Sequence, residues 1–209
     1  MEKRQSNYET TKQKMRRAFA AGDMDAAARE WELEPSGGDY RLVFAGREYR
    51  LRRTDGAILY ERNGETAEAD FNVCMTLYDI LTRPRAAAGG ELRPISAFSD
   101  VQSASVGSGS FFGRARAAFD HRERELAAAC RKLGGEPFGK GDVSFAFPVF
   151  RDLRAGLRFW NSDEEFGAEL TMFCDENVLR FMHFETMMFM MVHLTGRLQE
   201  LMEEERACE

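Results

Sequence analysis

The chain has 209 residues, 44% of them apolar and 11% aromatic, with 17 Phe. That is enough to bury a real core, so wholesale disorder is excluded, and the length suits one domain with a helical arm. The net charge of −6 argues against a nucleic-acid surface, and the 24 Arg against 5 Lys are scattered among Glu, as codon bias in a GC-rich genome would leave them.

Residues 6 to 31 read as a helix, with apolar or small positions at Tyr8, Met15, Phe19, Met24 and Ala28. Gly22-Asp23 splits it, Asp23 serving as a cap. Residues 1–34 form the expected helical arm and 35–209 the core of a single domain. After Pro35-Ser-Gly-Gly, the alternation in Tyr40 to Phe44 and Arg47 to Arg52 predicts a hairpin turning at Ala45-Gly46. Ile58 to Glu61 adds a third strand. Glu68 to Arg83 reads as a helix on the spacing of Phe71, Cys74, Met75, Tyr78 and Leu81, and Pro84 stops it.

Residues 85 to 111 read as mostly irregular, ending in SASVGSGS. Phe112 to Leu133 reads as one helix, ended by Gly134-Gly135. Strands follow at 143–149, 154–160 and 169–174, and a Met-rich helix spans about 176 to 203. Runs of strands separated by helices predict an α+β fold: antiparallel sheets built from hairpins, with amphipathic helices packed on one face.

The opening MEKRQSNYETTKQKMRR has no apolar signal region. The longest apolar stretch, Met187 to Leu194, is interrupted by His193 and falls far short of a bilayer span. A cytoplasmic protein without membrane contact is expected. Cys74, Cys130, Cys174 and Cys208 make no C-x-x-C pair, so no metal or cofactor is encoded by a local motif. In a reducing compartment they are expected as free thiols, three of them buried.

Several segments merit weighing as sites. Gly134 to Gly141 has near P-loop spacing, but Gly141 stands where magnesium needs a hydroxyl, and the loop follows a helix instead of opening one. A C-cap and turn explains it better. The glycine loop with Gly107, Gly109 and Gly113 leads into a helix carrying Arg114, which suits an anion; without a preceding buried strand it lacks the dinucleotide framework. The turn after Trp160, with Asp163, Glu164 and Glu165, offers carboxylates for a cation or for acid–base work, or is a solvated connection between strands. Asp175 sits where strand becomes helix, as an N-cap. His183 and Glu185 are two apart and face different ways on a helix. Met188 and its methionine neighbours form either core or an adaptable apolar groove.

The run GDVSF, FPVF, LRFWNSDEEF and LTMFCDENV, followed by the closing helix, resembles an uncharacterised bacterial family, domain of unknown function 3786. The shared pattern is an aromatic-ended strand, an acidic turn, and a strand ending in Asp before a helix. NVCMTLYDIL is compatible with it, and Gly167 stands where the family has Pro. The resemblance implies a companion to anaerobic metallocofactor metabolism, since some members are fused to a cysteine-rich iron–sulfur module that this chain does not carry.

The leading expectation is a non-enzymatic accessory module binding a ligand or protein partner, with Gly107, Gly109, Gly113, Arg114, Trp160, Asp163, Glu165, Asp175, Glu185 and Met188 as candidate contacts. The competing expectation is an enzyme whose carboxylates, Asp163, Glu165 and Glu185, are assembled by the fold. A homodimer through the N-terminal helix is a further possibility.

Overall fold

The computed structural model describes residues 7–98 and 112–207. The chain divides into two compact units, the first holding the residues up to Ala86 with Leu179–Met190, the second Ala87–Val178 with Met191 onward. Both are α+β, and each contains one five-stranded antiparallel sheet.

In the first unit, α1 (Asn7–Ala20) and α2 (Met24–Glu30) part at Gly22-Asp23, and the Asp23 carboxylate accepts from the Ala26 amide at 2.8 Å. This is the cap the sequence predicts. Strands β1 (Glu34–Ser36), β2 (Asp39–Phe44), β3 (Arg47–Leu51), β4 (Ile58–Arg62) and β5 (Glu65–Glu68) pair in chain order. Ala45 and Gly46 turn the β2–β3 hairpin at φ +48° and +66°, the left-handed pair whose twist suits adjoining strands. Tyr49 and Leu51 are buried while Glu48 and Arg50 face water, so the alternation in sequence sets the inner face. The exposed strands β1 and β5 escape prediction because their residues are polar, and ladder pairing with β2 and β4 holds them. Helix α3 (Phe71–Leu81) is capped by Asp70, which accepts from the Val73 amide at 3.0 Å. It buries Cys74, Leu77, Tyr78 and Leu81, and Tyr78 meets Phe19 of α1 with ring centroids 5.3 Å apart. The Tyr78 hydroxyl donates to the Gly56 carbonyl at 2.8 Å, so its polar end is satisfied inside the core.

The second unit orders its strands β6-β10-β9-β8-β7, from β6 (Leu92–Pro94), β7 (Glu136–Pro137), β8 (Val143–Phe150), β9 (Leu153–Trp160) and β10 (Glu169–Asp175). The register lines up Phe145, Leu157 and Met172 across three adjacent strands, and Phe147, Ala155 and Cys174 likewise, giving one continuous buried face. Burying each such phenylalanine contributes about 2 kcal/mol. Helices α4 (Gly113–Phe119) and α5 (Glu123–Lys132) supply Phe119, edge-on to Phe159 at 5.9 Å, and Arg131, whose guanidinium lies 5.5 Å from the Phe145 ring centre. After α5 the chain turns back at Gly134 and Gly135: their amides donate to the carbonyls of Arg131 at 2.8 Å and Cys130 at 2.9 Å. A Cβ on Gly135 would stand 2.6 Å from the Cys130 carbonyl oxygen, which reserves the position for glycine.

Two expected helices are each broken in two. The segment expected as one helix over Phe112 to Leu133 is interrupted at Asp120-His121-Arg122, with His121 at φ +54°. The closing helix, expected from about 176, is a single turn α6 (Val178–Phe181) followed by α7 (Phe184–Ala207). Neither break contains glycine or proline. Both are made by bonds to residues distant in sequence: Asn161 accepts from the His121 amide at 2.7 Å, and Asp79 from the His183 amide at 2.7 Å. Strand β6 and the short 3-10 turn Ile95–Phe98 also lie in the stretch expected as irregular.

Candidate functional site

The loop between β9 and β10 builds the site. Asp163 Oδ1 accepts from the amides of Glu165 at 2.8 Å and Phe166 at 2.7 Å, and the Asp163 amide donates to the Phe166 carbonyl at 2.8 Å. This is an aspartate-closed turn, set by Asp at its first position. The bonds from Phe166 and Glu165 hold the Asp163 carboxyl below the usual carboxylate range. Its second oxygen accepts nothing from the described residues.

The start of this loop is tied to the α4–α5 break. The Ser162 hydroxyl lies 2.6 Å from Asp120 Oδ2 and 3.2 Å from His121 Nε2, and the Ser162 amide donates to Asp120 Oδ1 at 2.9 Å. Those two bonds from Ser162 hold the Asp120 carboxyl low. Asn161 donates from its amide nitrogen to Glu123, and its backbone N–H donates to Asp142 at 2.8 Å. The polar network fixes the loop's entry and accounts for the left-handed backbone of His121.

Beside it opens a pocket of about 640 Å³ lined by Arg116, Asp142, Trp160, Asn161, Ser162, Asp163, Phe166, Gly167, Ala168 and Glu169. The size falls in the range of small-molecule sites. Its two aromatic residues are open to solvent, Trp160 at 42% and Phe166 at 70%. A second cleft of about 440 Å³, in the first unit, lies against Phe19, Ala26, Leu81 and Arg83 and contains none of the residues expected from sequence.

Ser162 and His121 do not form a nucleophile pair of the hydrolase kind. Asp120 stands 3.9 Å from the same ring nitrogen that meets the serine, so it does not orient the ring from its far side. The amides of Ser162, Asp163, Glu165 and Phe166 are all engaged within the loop network, and no pair of them is left for an oxyanion. The thiols of the described residues offer no substitute: burial pushes Cys74 and Cys130 up to about 12, and Cys174 higher still.

Of the residues expected from sequence, Trp160, Asp163 and Glu165 come together in the β9–β10 loop, the first two lining the pocket. Glu185 is exposed on α7 within the first unit and is not part of that loop. Met188 is buried, as are Met182, Met187, Met190 and Met191, so these methionines are core and present no surface groove. Gly113 and Arg114 begin α4, a helix of seven residues, and Arg114 is exposed; Gly107, Gly109 and Cys208 lie outside the described residues. Asp175 is not a helix cap. It ends β10, is fully buried, and accepts from the amides of Gly89 at 2.9 Å, Gly90 at 3.1 Å and Asn177 at 2.8 Å, so it clamps the 89–90 turn to the sheet.

Sequence reasoning covered Asn161 and Ser162 only as members of the 161–166 turn and missed Arg116, Asp142 and Glu169. The place of Glu169 close after that turn could have found it; Arg116 and Asp142 are brought in only by the fold. Among the described residues there is no group of three or more His, Cys, Asp or Glu that could hold a metal ion. Nor is any helix there long and apolar enough to cross a membrane.

Residues 23–197 match the profile of a family described as Domain of unknown function (DUF3786). No curated protein and no solved structure matches the chain.

Proposed function

We propose that this chain, which belongs to the DUF3786 family, is a cytoplasmic binding module that holds a small molecule at its acidic turn without transforming it. The observation that carries the reading is the pocket of about 640 Å³ at Trp160 and Asp163, where solvent-open aromatic surface meets a carboxylate with one oxygen unengaged by the described residues. The two aromatic side chains offer a ligand apolar surface, and the polar and charged groups around them can fix its orientation. Asp163 and Asp120 are held low by their hydrogen bonds, which suits a fixed negative charge and does not suit a general acid. The resemblance adds a setting, accessory service in anaerobic metabolism, and so a reason to handle the protein without oxygen.

The test is native mass spectrometry of the full chain, purified without oxygen and incubated with the small-molecule fraction of a cell lysate. A discrete added mass is expected on the wild type and not on Trp160→Ala, with both giving the same circular dichroism. Adducts equal on the two proteins, or absent from both, overturn the proposal.

A further inference from the structure

Resting on the reading of this pocket as a binding site, we infer that its ligand is a small organic cation, an amine or quaternary ammonium with an apolar body. Three carboxylates line the pocket, Asp142, Asp163 and Glu169, against the single guanidinium of Arg116, leaving an excess of two negative charges. Asp120 and Glu123, bonded to Ser162 and Asn161 directly behind the lining, add to the same sign. An anion would enter against this field, and a neutral ligand would make no use of it.

A bare metal ion is the other cationic candidate, and the donor set does not suit it. No cluster of three or more His, Cys, Asp or Glu with metal-holding geometry occurs among the described residues. Asp163 commits Oδ1 to two backbone amides, and Asp142 gives Oδ2 to the Asn161 amide at 2.8 Å. Each therefore offers at most one oxygen, enough for a hydrogen bond or a diffuse ammonium charge but not for the six or more oxygens of a hard cation. Trp160 and Phe166 supply the complementary element. Exposed aromatic surface attracts ammonium groups through the ring quadrupole and covers their methyl or methylene groups. Both residues line the same pocket as the three carboxylates.

The probes are choline, its uncharged carbon isostere dimethylbutanol, and methyl glucoside, the last because aromatic and polar walls also suit sugars. Each is titrated into the full-length chain at low salt and followed by saturation-transfer NMR. Choline is expected to bind at least about tenfold more tightly than the isostere. Asp163→Asn keeps the acceptor oxygen that closes the turn. It is expected to weaken choline by roughly threefold, the effect of losing one exposed charge partner, and to leave the isostere unchanged. Trp160→Ala is expected to abolish choline binding. Equal affinity for choline and isostere, or choline binding untouched by both substitutions, overturns the cation inference. If methyl glucoside binds in a Trp160-dependent way and choline does not, the cation inference falls while the pocket reading stands. If none of the three binds and the lysate fraction leaves no Trp160-dependent adduct, both fall.

Discussion

Asp175 and Asp163 are both aspartates that accept backbone amides in the second unit, and they do opposite jobs. Asp175 takes three amides, from Gly89, Gly90 and Asn177, and is fully buried. Asp163 takes two on a single oxygen, stands in solvent and lines a pocket. The first is a scaffold clamp with both carboxylate oxygens engaged by amides. The second is held in place by one oxygen, while the other is free of the described residues. A carboxylate's role is therefore read from how many of its lone pairs the fold leaves unengaged, and residue type alone does not give it.

The comparison breaks if Asp175 proves dispensable. Asp175→Ala leaves three amides near the sheet edge without their acceptor, and the loss of charge-assisted bonds is expected to cost about 3 kcal/mol in urea unfolding. A loss within about 0.5 kcal/mol, the level of ordinary surface changes, would mean that the clamp carries nothing. Met188→Asp is expected to cost a similar amount, about 3 kcal/mol, because it buries an unpaired charge in the core. Normal stability there would return the methionines to the surface.

Asp79 sharpens the contrast from the first unit. Burial pulls its carboxyl up, but the bonds from the His183 amide, Thr186, Arg83 and the His183 ring outweigh that and hold it below the usual range. Its folded value thus lies under the unfolded one, about 3.9. The sign follows: the stabilisation is present above pH 4 or so and disappears as pH falls through the folded value. Asp79→Asn is expected to lose about 1 kcal/mol at neutral pH and to show a shallower loss of stability on acidification. An unchanged acid limb would contradict this hold of Asp79 on the His183 break. The smallest effect belongs to Asp163→Asn, within about 0.5 kcal/mol of wild type by thermal unfolding, since the turn keeps its acceptor. A large loss would make Asp163 a second clamp and erase the distinction.

Much of the fold is legible in the sequence where local chemistry decides it. The Ala45-Gly46 hairpin, the Asp23 cap, the three long strands of the second unit and the Gly134-Gly135 stop all follow from side-chain period or turn residues. The failures share one cause. The breaks at His121 and His183 are imposed by Asn161 and Asp79, about forty and one hundred residues away, and no local propensity encodes them. Asp175 looked like a cap because strand gives way to helix there; the amides of Gly89 and Gly90 that it serves instead arrive from a turn 85 or more positions earlier. The candidate site was half legible: Trp160, Asp163 and Glu165 stand out as an aromatic-ended strand running into an acidic turn. Arg116 and Asp142 reach the pocket only through the packing of α4 and the start of β8.

The central claim is tested most directly by the two tryptophans of the chain. Trp31 is fully buried in the first unit and donates its indole N–H to the Arg83 carbonyl at 3.1 Å; Trp160 lines the pocket. Nitrogen-15 spectra of the two indoles are recorded while the small-molecule fraction of a cell lysate is added, with Trp160→Phe giving the assignment. The account predicts a saturable shift of the Trp160 signal with Trp31 unmoved. A shift of Trp31 alone, or of neither, would contradict it.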